Sequence, residues 1–201
     1  MKFSSTTILN KIENINDNFY PILFYGNEWG LITELIKSIH IKVKKRLDVS
    51  EIKYFDNKNE NIDFLQHLLV DSSLFSKINF VVIKNPQKTI IKELENLNQF
   101  ENILIINGEN LQAKSDIKLF FENHKNFISV PCYQLNKSVI KKTIDEFIKK
   151  HEISLENEAY WFLVENISED YLSLHNELQK LQNFKKNSVT FTEIQKLITQ
   201  K

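Results

Sequence analysis

Five short strand-like runs, separated by segments with helical periodicity, constrain this chain more than any other feature. They are Pro21–Tyr25, Glu51–Phe55, Ile78–Ile83, Asn102–Ile106 and Asn126–Val130. Ile78–Ile83 is a short, β-branched apolar run, which reads as a strand buried on both faces rather than an alternating, half-exposed one. Between the runs, Leu31, Leu35, Ile36 and Ile39, then Ile62, Leu65, Leu68 and Leu69, then Ile90, Ile91, Leu94 and Leu97, and finally Leu119, Phe120 and Phe121 mark the inner sides of helices. Parallel strands need long crossovers, and helices supply them. The alternation therefore predicts an α/β fold: a five-stranded, mostly parallel sheet with helices on both faces. A short amphipathic helix carrying Ile8, Leu9, Ile12 and Ile15 precedes it, with a serine or threonine of Ser4-Ser5-Thr6 as its cap.

At Pro131-Cys132-Tyr133 the rhythm changes, and all that follows has helical spacing. Val139, Ile140, Ile144, Phe147 and Ile148 stripe one helix. Tyr160, Trp161, Phe162 and Val164 lie on a second, where the aromatic cluster is read as core packing rather than a base-stacking platform. Tyr171, Leu174, Leu178 and Leu181 mark a third. Thr190 and Glu193 have capping-box spacing for a fourth, carrying Ile194, Leu197 and Ile198. The expected organisation is an α/β domain over 1–134 and a small all-helical domain over 135–201.

Charge excludes some functions. Twenty-six basic residues balance 26 acidic ones, so the totals show no basic excess for binding nucleic acid. Arg46 is the single arginine, which removes most routes to a bidentate phosphate grip. Lys42, Lys44, Lys45 and Arg46 crowd the end of one predicted helix, where positive charge complements the helix dipole; a DNA-phosphate patch is the competing reading. Cys132 is the only cysteine, so no intrachain disulfide and no multi-cysteine zinc site can form. His40, His67, His124, His151 and His175 lack metal-ligand spacing, and no metal or cofactor is expected. With no secretory signal and no apolar stretch of membrane-spanning length, a cytoplasmic protein without a membrane partner is expected.

The first strand, turn and helix occupy the position where a phosphate-binding P-loop would lie. Beginning at Gly26, such a loop needs glycine at 31 and lysine at 32; this chain has Leu31 and Ile32, and only Thr33 matches. Glu28 adds repulsion where phosphates would bind. The third strand ends Ile83-Lys84-Asn85, where a Walker-B carboxylate pair would hold magnesium. ATP hydrolysis is not expected. Gly26 is expected to make a tight turn, and Asn27 to cap the helix that follows.

Just before the third strand, Leu74 and Phe75 stand among Ser72, Ser73, Ser76 and Lys77. Fully burying each apolar side chain stabilises by roughly 1.5–3 kcal/mol. Such a pair either tucks onto its own domain or waits for a partner. Phe24-Tyr-Gly-Asn-Glu28, Ser73-Leu-Phe75 and Asn176-Glu-Leu178, in this order, resemble the delta subunit of bacterial DNA polymerase III, a clamp-loader component. Asn176-Glu-Leu-Gln-Lys-Leu181 resembles the family's signature helix, although the Gly-Asp that commonly opens that region is here Ser168-Glu-Asp170.

The resemblance implies a non-catalytic subunit rather than an enzyme, with an AAA+-like domain carrying a degenerate P-loop, then a small helical lid-type domain. It also implies a wedge, Leu74 and Phe75, that enters a pocket on the sliding clamp. Implied partners are the clamp (the polymerase III beta subunit), the delta-prime and ATPase subunits of the loader, and primed DNA indirectly through the loader. The implied action is to favour ring opening during replication. The family's C-terminal collar domain is expected to be absent, since the sequence ends before it. Two other classes stay open on the residues alone: a nucleotide- or cofactor-binding α/β enzyme with its ligand at the carboxyl ends of the strands, and a stand-alone DNA-binding module using Lys42–Arg46.

Overall fold

A computed structural model describes the chain apart from residues 6, 13–18, 71–77, 97–101, 113, 183, 185–187 and 200–201. The chain divides into two compact units, Met1–Tyr133 and Gln134–Lys201. The first opens with α1 (Ile8–Ile12), β1 (Ile22–Gly26), α2 (Trp29–Lys44), β2 (Val49–Asp56) and α3 (Ile62–Val70). It continues through β3 (Ile78–Lys84), α4 (Ile90–Asn96), β4 (Ile103–Glu109), α5 (Asp116–Asn123) and β5 (Ile128–Pro131). The strands form a five-stranded sheet in the order β2-β3-β4-β1-β5, and every neighbouring pair is parallel. One rung crosses the whole sheet: Tyr54, Val82, Ile105, Ile22 and Ile128 are successive partners.

Alternation along the strands builds two cores. One face offers Leu23, Tyr25, Phe55, Val81, Ile83, Leu104 and Ile106 to Leu65 of α3, Ile90 and Leu94 of α4, and Ile117 and Phe121 of α5. On the other face, the same strands bury Phe24, Phe80, Val82, Ile103 and Ile105. There α2 packs against β1, β2 and β4, with α1 against α2. The sheet is thus apolar on both sides, as Ile78–Ile83 required; Phe80 to Ile83 are fully buried.

Several boundaries differ from the sequence expectation. Residues 49–50 and 107–109 lengthen the second and fourth strands, while the fifth begins only at Ile128. These are matters of ladder pairing, which local composition does not carry. A further strand-like contact comes from the N-terminus: Lys2 bridges Ser129 in parallel, and the Ser129 N–H donates to Met1 O at 2.8 Å. Of the first helix's apolar positions, Ile8 and Ile12 are buried, whereas Ile15 lies outside the described residues. At the other end of α2, His40 is buried, its Nε2 lying 2.9 Å from Ser50 O and its ring against Phe80.

Asn27 does not cap α2. The cap position is Glu28, whose side chain makes no capping bond, because the chain leaves β1 through Gly26 and the Glu28 N–H is already committed to the Cys132 carbonyl at 3.1 Å.

The second unit contains α6 (Lys137–Lys150), α7 (Asn157–Asn166), α8 (Tyr171–Leu181) and α9 (Phe191–Thr199) around Ile140, Ile144, Leu163, Leu174, Leu178, Leu181 and Ile194. Of the expected capping box, the Thr190 N–H donates to Glu193 Oε2 at 3.0 Å. The aromatic cluster on α7 is a correction. Phe162 packs on Phe191 and the Tyr160 hydroxyl donates to Asp145 at 2.7 Å, but Trp161 is 48% exposed. Three consecutive residues spread over about 200° of a helix, so one core face cannot take all three.

Candidate functional site

The pair Leu74 and Phe75 lies outside the described residues. Its flanks are described: α3 ends at Val70 and β3 begins at Ile78, so the pair belongs to the link from a core-packed helix to a strand of the sheet. On α3, Leu65 is buried, while Phe64 is 43% exposed with its ring 6.5 Å from Phe55.

The junction from β1 to α2 is closed by backbone. Gly26 has φ +138°, and a Cβ built there would stand 2.0 Å from the Cys132 carbonyl oxygen. Only glycine fits that approach. Cys132 N donates to Tyr25 O at 2.7 Å and Asn110 N to Gly26 O at 3.0 Å, so the strand end is tied on both sides. Leu31 and Ile32, the positions a P-loop would give to glycine and lysine, are part of the core, with Ile32 fully buried. Glu28 is buried too, at 4% exposure. Burial, and secondarily the Glu28 carboxylate, push the Cys132 thiol up to about 12. The Tyr25 hydroxyl donates to Glu122 at 3.1 Å; burial and that carboxylate both raise its pKa.

The carboxyl ends of β2, β3 and β4 are arranged differently. There a cavity of about 320 Å³ opens beside α2, with Ile36, Tyr54, Val82, Lys84, Asn107 and Glu109 in its wall. Lys84 Nζ lies 4.0 Å from the centre of the Tyr54 ring. Asn85, just past β3, adopts φ +48°; its side-chain amide donates to Asp56 at 3.0 Å. That bond, followed by one from the Lys58 N–H, holds the Asp56 carboxyl below its usual range. Sequence reading noticed Lys84 only as a missing carboxylate. The available signal was that β3 and β4 turn polar near their carboxyl ends, at Lys84 and at Asn107 and Glu109.

In the helical unit, the signature segment is largely internal. Glu177, Leu178 and Leu181 are buried, and Glu177 Oε2 accepts from Ser168 N at 3.4 Å. Asp170 caps α8 by accepting from Ser173 N at 2.9 Å, and Ser168 donates to Asp170 at 2.6 Å. Among the described residues, no group of three or more His, Cys, Asp or Glu could hold a metal ion, and no helix is long and apolar enough to cross a membrane.

The sequence is 25% identical over 166 residues to a probable DNA polymerase III subunit delta of Rickettsia prowazekii, covering 80% of this chain and 49% of the relative. The resemblance is to a clamp-loader delta subunit. The fold agrees: the Bacillus subtilis DNA clamp loader delta protein superposes with a TM-score of 0.62 at 16% identity, covering 96% of this chain and 62% of that one. AMPPCP-bound DnaA from Aquifex aeolicus gives a TM-score of 0.53 at 18% identity, covering 89% of this chain and 60% of that one. These likenesses establish the AAA+-like architecture. No family model matches the chain. The chain spans about half the length of the curated delta relative.

Proposed function

We propose that this chain acts in the cytoplasm as a clamp-loader subunit of delta type, binding the sliding clamp and favouring its open form during DNA replication, without hydrolysing ATP. The observation that carries the reading is the delta similarity over 80% of the chain. Leu74 and Phe75 are the proposed anchor, on the link between α3 and β3. Opening requires differential binding: a wedge that fitted open and closed rings equally would shift nothing, however tightly it bound. In this reading the apolar pair provides affinity, and the adjoining face of α3 provides the preference for the relaxed clamp subunit. ATP hydrolysis belongs to other loader subunits, consistent with Leu31 and Ile32 in the core and Lys84-Asn85 at the end of β3.

The test is nucleotide-free binding of the purified chain to its cognate clamp, beside Leu74→Ala and Phe75→Ala. Each truncation of a hot-spot residue is expected to cost about 2 kcal/mol or more, roughly thirtyfold in affinity. Undiminished clamp capture by the double variant would overturn the assignment of the wedge.

A further inference from the structure

The cavity at the carboxyl ends of β2, β3 and β4 holds two opposite charges that do not meet. Lys84 and Glu109 both line it, yet no ion pair joins them: the Lys84 ammonium lies over the Tyr54 ring, and among the described residues neither charge has an ion-pair partner. Asn107 stands on the same strand as Glu109. Its Oδ1 accepts from the Glu109 N–H at 3.2 Å, which assigns the amide orientation and leaves Nδ2 as a donor with no hydrogen bond among the described residues. Below these groups the wall is apolar, with Ile36 and Val82 both buried. The polar level begins where the apolar face of the strands stops: Val82 is followed on that face by Lys84, and Ile105 by Asn107 and Glu109.

We propose that this cavity binds a small zwitterion, an α-amino acid with an aliphatic side chain. The carboxylate bonds to the Lys84 ammonium and the Asn107 amide nitrogen, the ammonium bonds to Glu109, and the aliphatic group lies against the exposed Tyr54 ring in the cavity wall. Charge decides the class. A phosphate dianion would meet Glu109 as well as Lys84, and a simple amine would meet Lys84, whereas a zwitterion satisfies both wall charges at once. The volume of about 320 Å³ is at the small end of ligand sites, and the carboxyl edge of a parallel sheet is where such sites form. The proposal involves neither Leu74 nor Phe75, so its failure would leave the clamp reading untouched.

The test is titration of the full chain, followed by calorimetry and amide NMR, with L-leucine, 4-methylpentanoate (leucine without its amino group), 3-methylbutylamine (leucine without its carboxylate) and inorganic phosphate. Saturable leucine binding in about the millimolar range is expected, with each single-charge analogue about tenfold weaker. Lys84→Met and Glu109→Gln should each weaken leucine about tenfold while keeping the wild-type NMR dispersion. Glu109→Gln should also leave 4-methylpentanoate binding undiminished, because the lost carboxylate faces only the ammonium. Absence of saturable leucine binding, equal binding of phosphate, or unchanged leucine affinity in both folded variants would each overturn the proposal.

Discussion

The junction from β1 to α2 and the carboxyl end of β3 are the two places where a P-loop and a Walker-B pair would lie, and in this chain they are built in opposite ways. At the first, a carbonyl from beyond β5 closes on Gly26, and Leu31 and Ile32 have joined the core. At the second, an open cavity remains, walled by exposed Lys84 and Glu109. A junction closed by burial is hard to change, because each of its residues is held by its packing. An exposed wall leaves room for new chemistry, because its side chains carry little of the stability.

The largest expected effect comes from trying to reverse the buried change. Ile32→Lys places an ammonium at a fully buried position, and about 3–5 kcal/mol of stability should be lost in urea unfolding, with no gain of ATP binding. A stable Ile32→Lys protein that bound ATP would break the comparison. Next is Gly26→Ala, which meets both the positive φ and the Cys132 carbonyl; about 2–4 kcal/mol should be lost, read as a lower denaturation midpoint.

The closed junction also makes a pH prediction. The Cys132 thiol is raised by burial and then by Glu28, so its neutral form is favoured by folding. That contribution is fully present below the unfolded-state value of about 9 and is lost as pH rises through the folded value of about 12. Alkylation of Cys132 should therefore follow global unfolding at neutral pH; rapid labelling of folded protein would show that the junction opens locally. The smallest effect belongs to the open end. Lys84→Met removes an exposed cation–π contact and should cost about 0.5–1 kcal/mol, leaving the unfolding transition otherwise unchanged.

The parallel α/β sheet was legible because Phe80–Ile83 and Ile103–Ile106 are apolar on successive residues, as strands covered on both faces require. The inner positions of α2, Leu31, Leu35, Ile36 and Ile39, were legible from their spacing for the same reason. The cap of α2 was not: Asn27 is a good capping residue by type, but a hydrogen bond from the Glu28 N–H to the Cys132 carbonyl set the geometry of the turn. Trp161 was misplaced because neighbouring aromatic residues suggest a cluster, whereas helix geometry spreads them around the axis. The cavity wall was invisible for a similar reason, since Tyr54, Lys84, Asn107 and Glu109 are distant in sequence and meet only through strand register.

By itself, the amino-acid sequence determined the class of fold, the change to all-helical structure after Pro131 and the resemblance to the delta subunit, because these depend on periodicity and on short local motifs. Only the tertiary structure decided that the β1–α2 junction is sealed by a carbonyl more than a hundred residues away, and that an uncovered cavity remains beside it at the ends of β2, β3 and β4. The physical reason is range. Side-chain patterning acts over a few residues, whereas closure and cavity formation depend on which strand ends the sheet register brings side by side.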